Sequence, residues 1–533
     1  MTTSQNHSLT SLRIRMYRQG LGDCFLLTFA KTTGEKYNML VDCGVLGGAK
    51  KRIAEAVKDI IDQTGNRIDV LVATHEHSDH ISGFKTSAAA FDQMQIDQVW
   101  LAWTEDLSDQ QAKKFREKDN ALQLGITASM MGMEGEQAES IRQILEFYVI
   151  ESEDDQVQED SSNDGPDLPN SAFAMGGKEP FMFAKTMDAT MKRIRQWGGE
   201  NVKYLEPGKI QPIPDFGVKV HILGPSRKMK MLGGTGPEEA VAGHAFRISQ
   251  ASSFLAAALK AAGAGSGELS QFGWSQDDID QAERLSMPFD SSFGLPLDAV
   301  KDTILDQSKT EDAYHDFYKD VYGLENMPPS NKEELLGVDW RRIDIDWLKV
   351  GGSLALQQVS NINNTSLVMA IELPDGKVLL FVGDAEEDNW ELWGDEIPDL
   401  EGLLTNTVLY KVGHHGSHNA TDKALVKKMT NRDLVALIPV DKERSDKNKG
   451  WVFPAEDLYF AEDLETSADL EKKAPNERGL LDVQTRGRVI VNCGKKSYQV
   501  DPIYNPSPDT PWPGVITPDP SDQRLWVDYT LNF

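Results

Sequence analysis

The chain has 533 residues, 40% hydrophobic and 26% charged, and its 55 basic against 84 acidic side chains leave a formal charge of −29. This is more chain than one hydrophobic core ordinarily organises, so an enlarged domain or about two to four units are expected, and the composition excludes disorder along the whole length. The acidity works against unaided binding of a bulk polyanion, for which a locally basic groove or a partner subunit would be needed; the plainer reading is that it keeps a large protein in solution.

Met1–Thr10 is polar and lacks the apolar segment of a secretory signal. Leu12–Tyr17 alternates like a half-buried strand, the turn Gly20-Leu21-Gly22-Asp23 leads to a strand at Cys24–Phe29, and a polar hairpin precedes a third at Tyr37–Val41. Lys50–Asp62 has helical spacing, and the apolar strand Asp69–Ala73 runs straight into a polar cluster. A further strand is expected at Val99–Trp103, then helices at Lys113–Leu124 and Glu136–Ile150 and an acidic, mobile strip at Glu151–Pro169. Val218–Leu223 returns to strand alternation, and helix Ala251–Ala264 follows within a second interruption. Strands are then expected at Ser366–Glu372, Val378–Val382, Val408–Val412 and Leu434–Pro439, with a closing hairpin at Arg488–Val500.

The expected organisation is thus a domain whose halves are 12–100 and 346–500, interrupted at 101–215 and 227–345 around a core strand in 216–226, with a tail, 501–533, packed on the body. Three cysteines, Cys24, Cys43 and Cys493, are too few for a disulfide framework and point to a reducing, cytoplasmic compartment. No apolar run approaches the ~20 residues that span a bilayer, so no membrane association is expected.

The chemistry is concentrated in His75-x-His77-x-Asp79-His80. Two histidines two apart on an extended segment can turn both imidazoles to one metal, and the carboxylate and imidazole after them can hold a second. Such ligands suit zinc first, with manganese or iron as alternatives. Phe381-Val382-Gly383-Asp384 puts another carboxylate at a strand end, and Lys411-Val412-Gly413-His414-His415-Gly416-Ser417 adds two histidines.

The run Thr74-His-Glu-His-Ser-Asp-His-Ile-Ser-Gly83 resembles the metal-binding signature of the metallo-β-lactamase superfamily, and the 411–417 run resembles its ComEC-like branch, as do Gly20-x-Gly22-Asp23 and Leu40-Val41-Asp42-x-Gly44. The resemblance covers roughly 12–100 and 350–500. It implies an αββα sandwich with two large, partly helical insertions and a site at the sheet edges holding two divalent metal ions. It also implies that His75 and His77 bind the first metal, Asp79 and His80 the second, and Asp384 both. His414 is then a second-metal ligand and His415 a proton donor or substrate contact, or the two are exchanged. Asp42 orients a ligating imidazole from behind, and Asn364 and Ser417 stand beside the ligands. Lys411 pairs with substrate phosphate or forms a buried salt bridge. One departure stands out: Asn363-Asn364-Thr365-Ser366 occupies the place where most members carry a further first-metal histidine. His221 could substitute but reads better as a strand residue; His244 and His315 have no partner pattern, His7 lies in an end expected to be disordered, and His418 is expected to be a loop residue near the site.

The resemblance implies a phosphodiesterase, most concretely a nuclease, with Asp79 orienting the nucleophile. Nucleic acid or another phosphodiester would be its substrate, and protein partners in a complex would supply the binding surface. Likeness to effector subunits of bacterial anti-phage systems goes with that reading. The alternatives are a small-molecule hydrolase acting on a lactone, thioester, phosphocholine ester or cyclic nucleotide, and an interaction subunit with vestigial chemistry.

Overall fold

The computed structural model describes residues 9–46, 50–116, 119, 182–229, 358–447, 453–455, 457–459, 479–493 and 501–533. Most of the Lys113–Leu124 stretch, the expected helices Glu136–Ile150 and Ala251–Ala264, the strip at 151–169, and His7, His244 and His315 lie outside the described residues.

Two eight-stranded sheets form the body. The first runs β17 (Val515–Pro518), β18 (Trp526–Asn532), β1 (Leu9–Tyr17), β2 (Cys24–Lys31), β3 (Lys36–Cys43), β5 (Val70–Val72), β7 (Val99–Ala102) and β8 (Val202–Leu205). The second runs β16 (Ile503–Tyr504), β15 (Val489–Cys493), β14 (Val435–Asp441), β13 (Thr407–Lys411), β12 (Val378–Phe381), β11 (Val368–Glu372), β10 (Val218–Gly224) and β9 (Ile210–Ile213). The short strands Arg67–Ile68 and Gln95–Ile96 pair separately.

Strand parity sorts the core into layers, because successive side chains point to opposite faces of a sheet. Leu12, Ile14, Phe25, Leu27, Met39 and Val41 of the first sheet share one buried cluster with Val220, Ile222, Met369, Ile371, Leu379 and Phe381 of the second. Phe25 meets Phe381 edge-on across that interface, with ring centroids 5.6 Å apart. The opposite parity faces helices: Leu26, Leu40 and Leu71 share their cluster with Ile53, Ala56, Val57 and Ile60 of α1 (Lys50–Thr64) and with Met187, Met191 and Ile194 of helix Met182–Gly198. On the second sheet Ala370, Leu380 and Tyr410 belong with Trp390 and Trp393 of helix Glu387–Glu396. Helix, sheet, sheet, helix is the expected αββα sandwich. Among the described residues no helix is long and apolar enough to cross a membrane.

Three boundaries differ from expectation. Helix Met182–Gly198, β8 and β9 lie within 101–215 yet belong to the sandwich; their strands are four residues long and partly exposed, so alternation does not announce them. The antiparallel partner of β15 is β16 at Ile503–Tyr504, beyond the expected hairpin at Arg488–Val500. The tail contributes β18, seated between β17 and β1 with Leu531 opposite Leu12. Arg15 fixes it there: its guanidinium donates to both Asp528 oxygens at 2.7 and 2.8 Å and to Asp59 at 2.6 Å, and lies 3.5 Å above the Trp526 ring.

Each sheet contains a parallel run, β3–β5–β7–β8 at one end of the first and β12–β13–β14–β15 within the second. Parallel strands end on the same side, so the segments after β3, β5, β12 and β13 come together at one edge of the sandwich. All the chemistry-bearing motifs sit there.

Candidate metal centre

Strand β5 passes through Ala73 and Thr74 to His75, and His77 caps α2 (Ser78–Thr86), whose first turn carries Asp79 and His80. The loops before β2 and after β3 hold that turn by the backbone. Asp23 N donates to Asp79 O at 2.9 Å, and a Cβ on Gly44 would lie 2.2 Å from the Asp79 carbonyl carbon and His80 nitrogen. Only glycine permits that approach. His75, His77, Asp79 and His80 are all buried.

Asp42, at φ +56°, stands behind them. Its carboxylate accepts from Thr74 N at 2.8 Å and Thr74 Oγ1 at 2.7 Å, and lies 2.8 Å from His80 Nδ1. That contact favours the proton on Nδ1 and turns Nε2 away from Asp42, toward Asp384 Oδ2 at 3.1 Å. His75 Nε2 faces His77 Nδ1 at 3.0 Å.

The second sheet supplies the opposite wall. Gly383, left-handed at φ +55°, turns the chain after β12 so that Asp384 Oδ1 accepts from His414 N at 2.9 Å. Ser366 Oγ accepts from Asp384 N at 3.0 Å and lies 3.2 Å from His75 Nδ1, coupling the two walls. After β13 the chain makes a 3-10 turn, His414–Gly416, with both histidines in left-handed conformation (φ +40° and +54°), a strained arrangement for residues with a Cβ. It points His415 Nδ1 at the Pro439 carbonyl, 2.7 Å away, and Nε2 at Asp79 Oδ2, 2.9 Å away. His414 Nδ1 lies 3.1 Å from Ser417 Oγ and 3.4 Å from Asn363 Nδ2.

Donor atoms therefore converge in sets. One atom each from His75, His80 and Asp384 lie within 4.8 Å of one another, as do atoms of Asp79, Asp384 and His415, and of Asp23, Asp42 and His80. Asp79 Oδ1, His80 Nε2 and Asp384 Oδ2 are buried and make no well-formed hydrogen bond, the last two facing each other at 3.1 Å. Buried polar atoms are ordinarily satisfied, so three left over at one point fit divalent cations.

The electrostatics split the histidines. Burial, with His80 and His77 close by, holds His75 well below its usual range, and burial pushes His77 and His414 down to about 4. They present neutral nitrogens. Burial also disfavours charge on His80 and His415, but carboxylates outweigh it: Asp384 and Asp79 hold His80 well above its usual value, and the Asp79 hydrogen bond raises His415. Protons there occupy the place of positive charge that metals would bring.

The remaining expected residues divide. Lys411 is buried with Nζ on the Gly383 carbonyl at 2.9 Å and paired with Asp23, so it presents no ammonium to an open pocket. Ser417 touches His414, whereas Asn364 is one step removed: its Oδ1 accepts from Glu386 N at 3.0 Å and braces the loop after Asp384. His221 bonds Glu372 at 2.7 Å on the sheet, and His418 is exposed beside Asp457. Four residues missing from the expected set are present: Asp23, Ser366, Asn363 and Glu386. Asn363 Nδ2 donates to Glu386 at 2.9 Å, and burial pushes that carboxyl up to about 7. The Gly22-Asp23 turn was the available signal for Asp23, and the strand-start position for Ser366.

Residues 17–96 match the family model of the metallo-beta-lactamase superfamily, a stretch that includes His75, His77, Asp79 and His80 and ends before the second wall. No curated protein and no solved structure matches the chain.

Proposed function

We propose that the chain is a two-metal hydrolase cleaving a phosphodiester, of the ComEC-like branch. The observation that carries this reading is the set of buried donors of Asp79, His80 and Asp384, without well-formed hydrogen bonds, between two walls of imidazoles. Two divalent cations bound there would activate water at neutral pH and neutralise phosphoryl oxygens.

The residues divide the work. By the resemblance His75 and His77 would hold the first position and Asp79, His80 and His415 the second, with Asp384 serving both; His80 also lies within reach of His75 and Asp384. The grouping of His415 with Asp79 and Asp384 favours exchanging the two adjacent histidines relative to the first assignment. His414, whose imidazole burial holds neutral, would then stand beside the substrate as a hydrogen-bond partner and not as the source of the leaving group's proton. Asp42 and Ser366 orient ligands. Zinc suits the donors, with manganese or iron as alternatives.

A specific observation favours a second reading, a small ester, lactone or cyclic nucleotide as substrate. Burial and the neighbours Glu105, Asp188 and Asp119 push the Glu76 carboxyl well above its usual range, so acidic groups gather beside the His75–His77 pair. The nearby arginines are engaged: Arg195 on Glu105 at 2.6 Å, Arg116 on the Thr104 and Asp106 carbonyls. A polymeric phosphodiester would then need a partner subunit for its basic surface. The completeness of the donor set argues against a vestigial interaction subunit. Metal-loaded protein assayed on single- and double-stranded DNA, RNA, bis(p-nitrophenyl) phosphate and a small lactone separates the readings. Cleavage of a phosphodiester that disappears in Asp79→Ala/His80→Ala supports the first, cleavage of the lactone alone supports the second, and cleavage surviving in the variant refutes both.

A further inference from the structure

We infer that Lys411 is a resident cation of the centre, holding Asp23 and Asp384 in their metal-ready positions while the site awaits its metals. The inference rests on the two-metal reading above and assigns Lys411 neither to substrate nor to catalysis.

Four carboxylates, Asp23, Asp42, Asp79 and Asp384, are buried in one small volume. Like charges so placed, out of water, repel strongly, and before dications arrive only cationic side chains of the protein can offset them. Lys411, 1% exposed, brings a buried ammonium among them. Nζ pairs with Asp23 Oδ2, lies 3.6 Å from Asp384 Oδ1 and donates to the Gly383 carbonyl at 2.9 Å. Register explains the placement: Lys411 is opposite Phe381 in the parallel β12–β13 pair, so its side chain runs beside the turn that carries Asp384. The left-handed Gly383 offers its carbonyl to the same ammonium, and a Cβ there would sit 2.8 Å from Ser366 Cβ.

This accounts for the third donor set as well. Asp23, Asp42 and His80 gather atoms within 4.8 Å, yet the Asp23 oxygen that faces His80 Nδ1 at 3.8 Å is the one that Lys411 already holds. The ammonium supplies there the charge a third cation would. A phosphate contact is the poorer account, because Nζ is buried and already held by Asp23 and the Gly383 carbonyl.

The charge role and a packing role have opposite signatures. If Lys411 matters as charge, Lys411→Met destabilises the metal-free chain and metal then repairs the variant more than wild type. If it matters as packing, both states lose equally. Thermal melts of the full chain after chelation and after loading with zinc or manganese chloride read this, beside the double variant Asp23→Asn/Lys411→Met. The metal-free single variant is expected to fall by about 10 °C. Its metal-induced rise should exceed that of wild type, and the double variant should regain much of the metal-free loss. If the single variant is recovered only as aggregate, the double variant carries the test, since removing both charges should restore a soluble chain. Equal metal-induced rises in wild type and Lys411→Met, or a double variant no more stable than the single, overturn the inference alone. A wild-type chain that neither binds nor gains from either metal overturns the two-metal reading and this inference with it.

Discussion

Replacing Asp42 with asparagine isolates one link between the fold and the metal centre. The carboxylate accepts from Thr74 twice and faces His80 Nδ1 at 2.8 Å. An asparagine has one acceptor oxygen, which Thr74 retains, leaving its NH2 group toward the imidazole. His80 Nδ1 must then accept, its proton moves to Nε2, and the lone pair facing Asp384 is lost. Removing such a partner behind a ligating histidine typically costs 10–100-fold in metal affinity, about 1.4–2.8 kcal/mol. Competition with a graded series of chelators measures it, and the urea midpoint of the metal-free chain shows how much of the change is general destabilisation. An Asp42→Asn chain that binds zinc within about twofold of wild type would refute the reasoning, because the tautomer of His80 would then be set by something else.

Other perturbations test other parts. His415→Ala should remove the second metal equivalent, whereas His414→Ala should retain both metals and lose turnover; equal metal content in the two variants would undo the exchange of roles. Gly44→Ala forces a Cβ into the backbone of Asp79 and His80, at about 1–3 kcal/mol of stability, and should lower metal content where a surface Gly376→Ala does not. Arg15→Met leaves Asp528 and Asp59 without their shared cation and should cost about 3 kcal/mol in a urea titration, marking β18 as part of the core. His80 and His415 are raised above their ordinary value, so near pH 6.5 the metal-free site carries protons there that a metal must displace. Zinc binding should release up to about two protons, His415→Ala about one fewer, and affinity should climb with pH until both imidazoles are neutral. Buffer-dependent binding enthalpies count those protons.

Much of this was legible where the chain obeys simple periods. Leu12, Ile14 and Met16 alternate because one face of β1 meets the other sheet, and His75 to His80 stand out because so many metal-binding groups in six positions serve no packing purpose. The two-residue strands Arg67–Ile68, Gln95–Ile96 and β16 and the half-exposed β8 were invisible because a period needs length to register. Asp23 was visible only as the end of a turn that resembles the branch's pattern: its importance lies in a backbone bond to Asp79, 56 residues on, and an ion pair with Lys411, 388 residues on. The order of His414 and His415 could not be read from adjacency, since two left-handed residues in succession reverse which ring points at Asp79. Asn363 looked like a lost ligand, and in the fold it lies between Glu386 and His414.

Asp79, His80, His415 and Asp384, with His75 and His77, are proposed to form a buried pair of metal positions. Metal content of the purified full chain, measured by mass spectrometry after loading with zinc or manganese and exhaustive desalting, tests it most directly. About two equivalents are expected in wild type and loss of both in Asp384→Ala, because one carboxylate would serve both positions. Retention of two equivalents by Asp384→Ala, or none by wild type, would contradict it.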